Sequence, residues 1–215
     1  VIQNNLIHGS FLAGVKKLIF LGSSCVYPKF SKQPIKEEYL LTSELEKTNE
    51  PYAIAKISGI KLCESYNKQY KTNYISLMPT NTFGPNDNYD IQNSHFIPAL
   101  IRKIYEAKQK KKKFLYLWGT GNAKREILHV KDLADAIIYF MNKKINHSYL
   151  NIGSNFEKKI NEYAKILMKI AEVNLKIKYI GPKYDGTPRK KLNINLAKKY
   201  GWKPKIPLMQ ALRQT

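Results

Sequence analysis

Lys17-Leu18-Ile19-Phe20-Leu21-Gly22-Ser23-Ser24 is the stretch whose reading decides the fold. A short apolar run, ending in a glycine and two hydroxyls, reads as a strand buried on both faces with a polar loop at its carboxyl end. Upstream, Asn5 to Phe11 reads as the end of a helix that stops at Gly14. Downstream, a polar loop runs from Lys29 to Glu50, and Pro51 then stands where a helix can begin. Periodic apolar residues carry that helix to about Tyr70. A second buried strand, Tyr74 to Met78, is ended by Pro79.

The alternation continues. Thr80 to Ser94 reads as a loop, His95 to Lys108 as a helix and Phe114 to Trp118 as a strand. Gly119-Thr120-Gly121 reads as a turn, Lys131 to Asn142 as a helix and Tyr149 to Ile152 as a strand. Ile160 to Ala171 is a helix, and Lys176 to Ile180 is a strand before a loop from Gly181 to Lys191. Strand and helix in turn, with buried strands, predict an α/β protein with a parallel sheet. Ligands in such sheets bind beyond the carboxyl ends of strands. The loops after Leu21, Met78 and Trp118 leave from such ends.

The chain has 215 residues, of which 43% are hydrophobic, enough for a packed core. Its longest apolar stretch, Leu18 to Leu21, is far too short for a membrane span of about 20 residues. The start at Val1 shows no signal-peptide pattern. Cys25 and Cys63 make neither a disulfide framework nor a zinc site, so no metal is expected and a reducing, cytoplasmic setting is. The net charge of +21 has three readings: a nucleic-acid face, an anionic small substrate, or the codon bias of an AT-rich gene. The densest run, Lys108-Gln109-Lys110-Lys111-Lys112-Lys113, sits at a helix C-terminus and holds no aromatic, which counts against nucleic acid.

Tyr52 and Lys56 form Tyr-x-x-x-Lys, one turn apart on one helix face. An ammonium there favours phenolate, which suits the tyrosine to proton exchange with a hydroxyl or carbonyl. Alone the pair is weak evidence, since it also suits an exposed helix face. Ser23 and Ser24 at a strand end add a second element. Together they resemble the Ser/Tyr/Lys set of the short-chain dehydrogenase/reductase superfamily.

The motifs then narrow the resemblance. They are Gly22-Ser23-Ser24-Cys25-Val26-Tyr27-Pro28, Asn49 to Lys56, Met78-Pro79-Thr80-Asn81, Gly84 to Asn88, Asn93-Ser94-His95, Trp118 to Gly121, Arg125-Glu126, Leu128-His129-Val130 and Asp185 to Lys190. In this order, over nearly the whole chain, they resemble the GDP-L-fucose synthase family. The resemblance implies a Rossmann-like parallel sheet flanked by helices (its N-terminal strands missing here) and a smaller C-terminal α/β substrate domain. Residues 1–82 and about 120–155 would belong to the NADP-binding part, and about 83–119 and 156–215 to the substrate part. No Gly-x-x-Gly-x-x-Gly or Gly-x-Gly-x-x-Gly occurs in the chain, so the pyrophosphate cradle is expected outside it, and weak NADPH binding by these 215 residues alone.

The resemblance also implies the chemistry. The substrate would be GDP-4-keto-6-deoxy-D-mannose, whose ketone acidifies the hydrogens on carbons 3 and 5. Cys25 would be the base and His95 the acid of epimerisation. Ser23 and Tyr52 would stabilise the enolate oxygen, and Tyr52 would protonate carbon 4's oxygen as NADPH reduces it. Lys56 would hold the nicotinamide ribose, with Leu21, Gly22, Ser23, Ser24, Pro79, Thr80, Asn81, Thr82 and His95 around the nicotinamide. Lys103, Trp118, Arg125, Asp185 and Lys190 would bind the GDP-sugar, Lys103 standing where the family often has arginine. A homodimer, with no nucleic-acid or membrane partner, is expected. An NAD-dependent sugar-nucleotide 4-epimerase or dehydratase, an inactive fragment and a basic nucleic-acid-binding protein are the alternatives. Cys63, His129 and Trp202 read as structural, and His8 and His147 belong to no motif.

Overall fold

A computed structural model describes residues 1–181 and 186–215. Helix α1 (Ile2–Leu12) leads to β1 (Lys17–Leu21), and α2 (Glu50–Tyr70) to β2 (Asn73–Pro79) and β3 (Asn81–Phe83). Next come α3 (Phe96–Gln109), β4 (Phe114–Trp118), β5 (Lys124–His129), α4 (Val130–Asn142) and β6 (Tyr149–Ile152). Then follow β7 (Glu157–Lys159), α5 (Ile160–Ile170), β8 (Lys176–Ile180), β9 (Arg189–Lys190), α6 (Asn195–Lys199) and α7 (Leu208–Gln214).

The fold is α/β with parallel sheets flanked by helices. The first sheet is β1-β2-β6, all parallel, with Leu21 opposite Leu77 and Met78 opposite Asn151. β2 is buried from Tyr74 to Met78, paired on both edges and covered by helices on both faces. β1 departs from expectation: its residues are half-buried and Leu21 is exposed. Among the described residues only β2 pairs with it, so its other edge lies open.

The two faces of this sheet carry different helices. Ala53, Ile57, Ile60 and Cys63 recur at helical spacing and form the buried stripe of α2. Gly59 lets this helix approach β1, since a Cβ there would lie 2.4 Å from the Phe20 ring. On the other face α4 contributes Ala136 and Phe140, which pack with Ile75, Leu77, Leu150 and Trp202. The chain thus returns through α6 and Trp202 to the first sheet after building the second and third.

The second sheet has β5 at its centre, parallel to β3 and β9 and antiparallel to β7. The third is the parallel pair β4–β8, which packs with α3, α5 and α7 around Leu100, Leu115, Tyr163 and Leu212. The short strands β3, β7 and β9 and the more polar β5 lie where the sequence shows loops or motifs. Runs of two or three residues carry too little alternation to reveal a ladder.

Candidate active site

The carboxyl end of β1 and the N-terminal turns of α2 meet. Ser23 has extended backbone and caps a 3-10 turn at Ser24–Val26, its hydroxyl accepting the Cys25 N–H at 3.1 Å. That bond aims the turn and places Cys25 beside the helix. The Tyr52 phenol faces the Ser23 side chain, which favours its ionised form. Lys56 donates to the Leu21 carbonyl at 2.8 Å. Its nitrogen lies 5.3 Å from the Phe20 ring centroid and 5.8 Å from that of Tyr52. Four of the expected groups therefore share one strand end.

The electrostatics correct one expectation. Tyr52 is held above the ordinary phenol range, not below it. Burial is the largest cause; Ser23 acts next, in the opposite direction, and the neighbouring Cys25 adds a smaller push upward. The Lys56 ammonium sits beside the tyrosine ring and donates to a carbonyl rather than to the phenol oxygen. Burial also lowers Lys56 itself.

Lys190 reaches this cluster from far along the sequence. It sits on β9, opposite Arg125 of β5, and its ammonium donates to the Cys25 sulfur at 3.4 Å. Arg125 donates to the Lys124 carbonyl at 2.9 Å. Cys25 is half-buried and free, while Cys63 is free, buried and pushed up to about 11 by burial.

His95 lies at the N-terminus of α3. It is exposed and lines a cleft of about 330 Å³ with Thr82, Gly84, Asp87 and Val130. Lys103, one face of α3 further on, stacks 4.4 Å above the Trp118 ring and donates to the Tyr116 carbonyl at 3.4 Å. The two line a smaller cavity of about 190 Å³ with Ser94, Phe96 and Leu117. Burial lowers Lys103. Pro79 to Thr82 run from the end of β2 into β3, next to the first cluster through the parallel β1–β2 pair.

Residues 1–153 match the family model for the NAD dependent epimerase/dehydratase family. The chain belongs to this family. Family relatives include GDP-L-fucose synthase 1 of Arabidopsis thaliana, 48% identical over 214 residues, the match covering all of this chain and 66% of the relative. The chain thus spans just under two thirds of that relative's length. A crystal structure of a GDP-L-fucose synthetase from Naegleria fowleri bound to NADP superposes with a TM-score of 0.91 at 26% identity, covering 99% of this chain and 68% of that one. A GDP-6-OMe-4-keto-L-xylo-heptose reductase from C. jejuni gives 0.90 at 33% identity, covering 99% and 72%.

Within the family fold, the expected site residues fall into three places. Ser23, Cys25 and Lys190 are joined by hydrogen bonds, with Tyr52 and Lys56 beside them on α2. His95 stands at the mouth of a separate cleft, and Lys103 and Trp118 form their own stack. Asp185 lies outside the described residues. His129 is buried, caps α4 by accepting the Lys131 N–H at 3.3 Å, and is lowered by burial. Trp202 is buried and donates to Asp135 at 3.0 Å.

Two further buried polar groups lie near the site. Asn151, at the end of β6, accepts from the Tyr27 phenol at 2.6 Å and donates to the carbonyls of Ile35 and Asn193. Glu126 is fully buried beneath β9 and pushed up to about 7, chiefly by burial. The available signal was position: a carboxylate directly before the apolar pair Ile127-Leu128 enters a core.

Proposed function

We propose that the protein epimerises carbons 3 and 5 of GDP-4-keto-6-deoxy-D-mannose and reduces carbon 4 with NADPH, giving GDP-L-fucose. The observation that carries this reading is a half-buried thiol, Cys25, whose N–H is held by Ser23 at a strand end faced by Tyr52. A ketone hydrogen-bonded by Ser23 and Tyr52 presents its α-carbons to a nearby base, and the same donors stabilise the enolate oxygen. Cys25 takes the α-proton. His95 returns one from the other face of the sugar, in the cleft beside Thr82. Tyr52, kept protonated by burial, is ready to give its proton to the oxygen at carbon 4.

The strand ends fit a nicotinamide group. Leu21 to Ser24 and Pro79 to Thr82 end two adjacent parallel strands, and Lys56 anchors beside them on the Leu21 carbonyl. NADPH, when bound, supplies the hydride. Lys56 would hold the ribose and the strand ends would shape the pocket. Lys103, Trp118 and Arg125 offer an aromatic face and two cations for the nucleotide and its diphosphate, with Asp185 completing the set.

The reading divides the chain by task. Residues 1–82 and about 120–155 serve the cofactor, and about 83–119 and 156–215 serve the substrate. Within the latter, α6 and Trp202 brace the cofactor part. On the resemblance, the reading includes a homodimer in a cytoplasmic setting. Among the described residues no helix is long and apolar enough to cross a membrane.

The test is NADPH oxidation by the full-length protein with and without the GDP-linked keto sugar. Oxidation only in its presence is expected. Turnover of UDP-galactose without net oxidation would point to a 4-epimerase.

A further inference from the structure

Glu126 has no place in the chemistry above, yet it joins the segments that carry it. It lies on β5 with its side chain fully buried. One carboxylate oxygen accepts the Asn155 N–H at 2.6 Å, in the turn between β6 and β7. The other accepts the Leu192 N–H at 2.8 Å, just beyond β9. The Glu126 carbonyl accepts from Thr80 Oγ1 at 3.2 Å and Asn81 Nδ2 at 3.1 Å. Gly153 makes room for the carboxylate, since a Cβ there would lie 2.5 Å from Oε1. The charge of Lys191 favours the ionised form, and Glu157, opposite on β7, disfavours it. The Tyr163 phenol on α5 also feels the carboxylate.

Such a group is costly to bury, and its two N–H bonds offset the cost only when both segments are docked. Two residues before Leu192 stands Lys190, whose ammonium meets the Cys25 sulfur at 3.4 Å. β9 itself spans two residues, too short a ladder to fix a side chain. On its outer side Gln33 and Ile35 bond the backbone of Arg189 and Lys191. On its inner side the strand rests on Arg125 and on the Glu126 carboxylate.

We propose that Glu126 is a positioning residue: by seating the Leu192 N–H it sets Lys190 against Cys25, and Lys190 acts on the thiol and not on substrate phosphate alone. An ammonium 3.4 Å from the sulfur fixes the thiol's orientation and offers a counter-charge to negative charge that develops on it as it reacts. The inference rests on the reading of Cys25 as a base, but its test needs no substrate.

The experiment is carboxamidomethylation of the full-length protein by iodoacetamide at neutral pH, with the labelled cysteine located by peptide mass spectrometry. Buried Cys63 reports any opening of the fold. Lys190→Met is expected to slow labelling of Cys25 roughly tenfold, and Lys190→Arg to restore most of the rate. Glu126→Gln should slow it to a similar level. The double variant should be no slower than Lys190→Met alone, because both act through one contact. An unchanged rate in Lys190→Met, or additive losses in the double variant, overturns the proposal. A Glu126→Gln protein that labels Cys63 as readily as Cys25 assigns the carboxylate a purely structural role and overturns it too. If this pattern holds and the GDP-sugar is not turned over, the substrate reading fails while the positioning of Cys25 stands.

Discussion

Lys56 stands one helical turn from Tyr52, yet its ammonium bonds the Leu21 carbonyl at 2.8 Å and lies 5.8 Å from the centre of the tyrosine ring. The pair is therefore a donor phenol and an anchored cation, not a phenolate and its counter-ion. Burial raises the first and lowers the second, and both shifts favour the uncharged forms.

This makes Tyr52 a proton donor throughout the neutral range. Its ionisation, read as the ultraviolet difference between wild type and Tyr52→Phe, should have its midpoint above the ordinary phenol range. Tyr52→Phe should lower reduction by roughly 100-fold or more, because the oxygen at carbon 4 loses its acid. A phenolate signal from Tyr52 near neutral pH would contradict this account.

Cys25→Ser should separate the two halves of the reaction. Serine is a far weaker base near neutral pH, so deuterium exchange from solvent into carbons 3 and 5 should vanish. Reduction of the unepimerised sugar should then become visible by mass spectrometry. Exchange at the wild-type rate in Cys25→Ser would remove the thiol from the mechanism.

Glu126 makes stability depend on pH in an uncommon direction. Its folded value of about 7 exceeds the ordinary 4.5, so between these limits the native state holds a proton that the unfolded state has lost. Stability from this group is full below about pH 4.5 and falls as pH rises to 7. The loss is on the order of 3 kcal/mol. Urea denaturation of wild type and Glu126→Gln across this range should show the fall in wild type alone. Parallel curves would mean that the carboxylate does not titrate there.

Gly59 should tolerate no side chain without cost. In Gly59→Ala the new methyl would meet the Phe20 ring at 2.4 Å, and α2 would have to lift from β1. A loss of about 1–3 kcal/mol is expected despite the better helix propensity of alanine. Thermal unfolding at matched pH checks it, and a stabilised variant would show that the helix shifts freely.

Local pattern along the sequence determined the α/β alternation, the bounds of α2 and the strands β2 and β4. The apolar run from Tyr74 to Met78 and the stripe Ala53, Ile57, Ile60 carry their burial in their spacing. It also placed Ser23, Cys25, Tyr52 and Lys56 within one strand–loop–helix unit, because those residues are near neighbours in the chain. Tertiary structure decided the rest. Lys190 reaches Cys25 only because β9 pairs with β5 across a long separation, and no local period encodes such a pairing. The burial of each β1 side chain likewise depends on which elements lie beside the strand. The protonation of Tyr52 and Glu126 was likewise beyond the sequence: spacing gives the nearest charge, whereas desolvation is set by every element packed around a group.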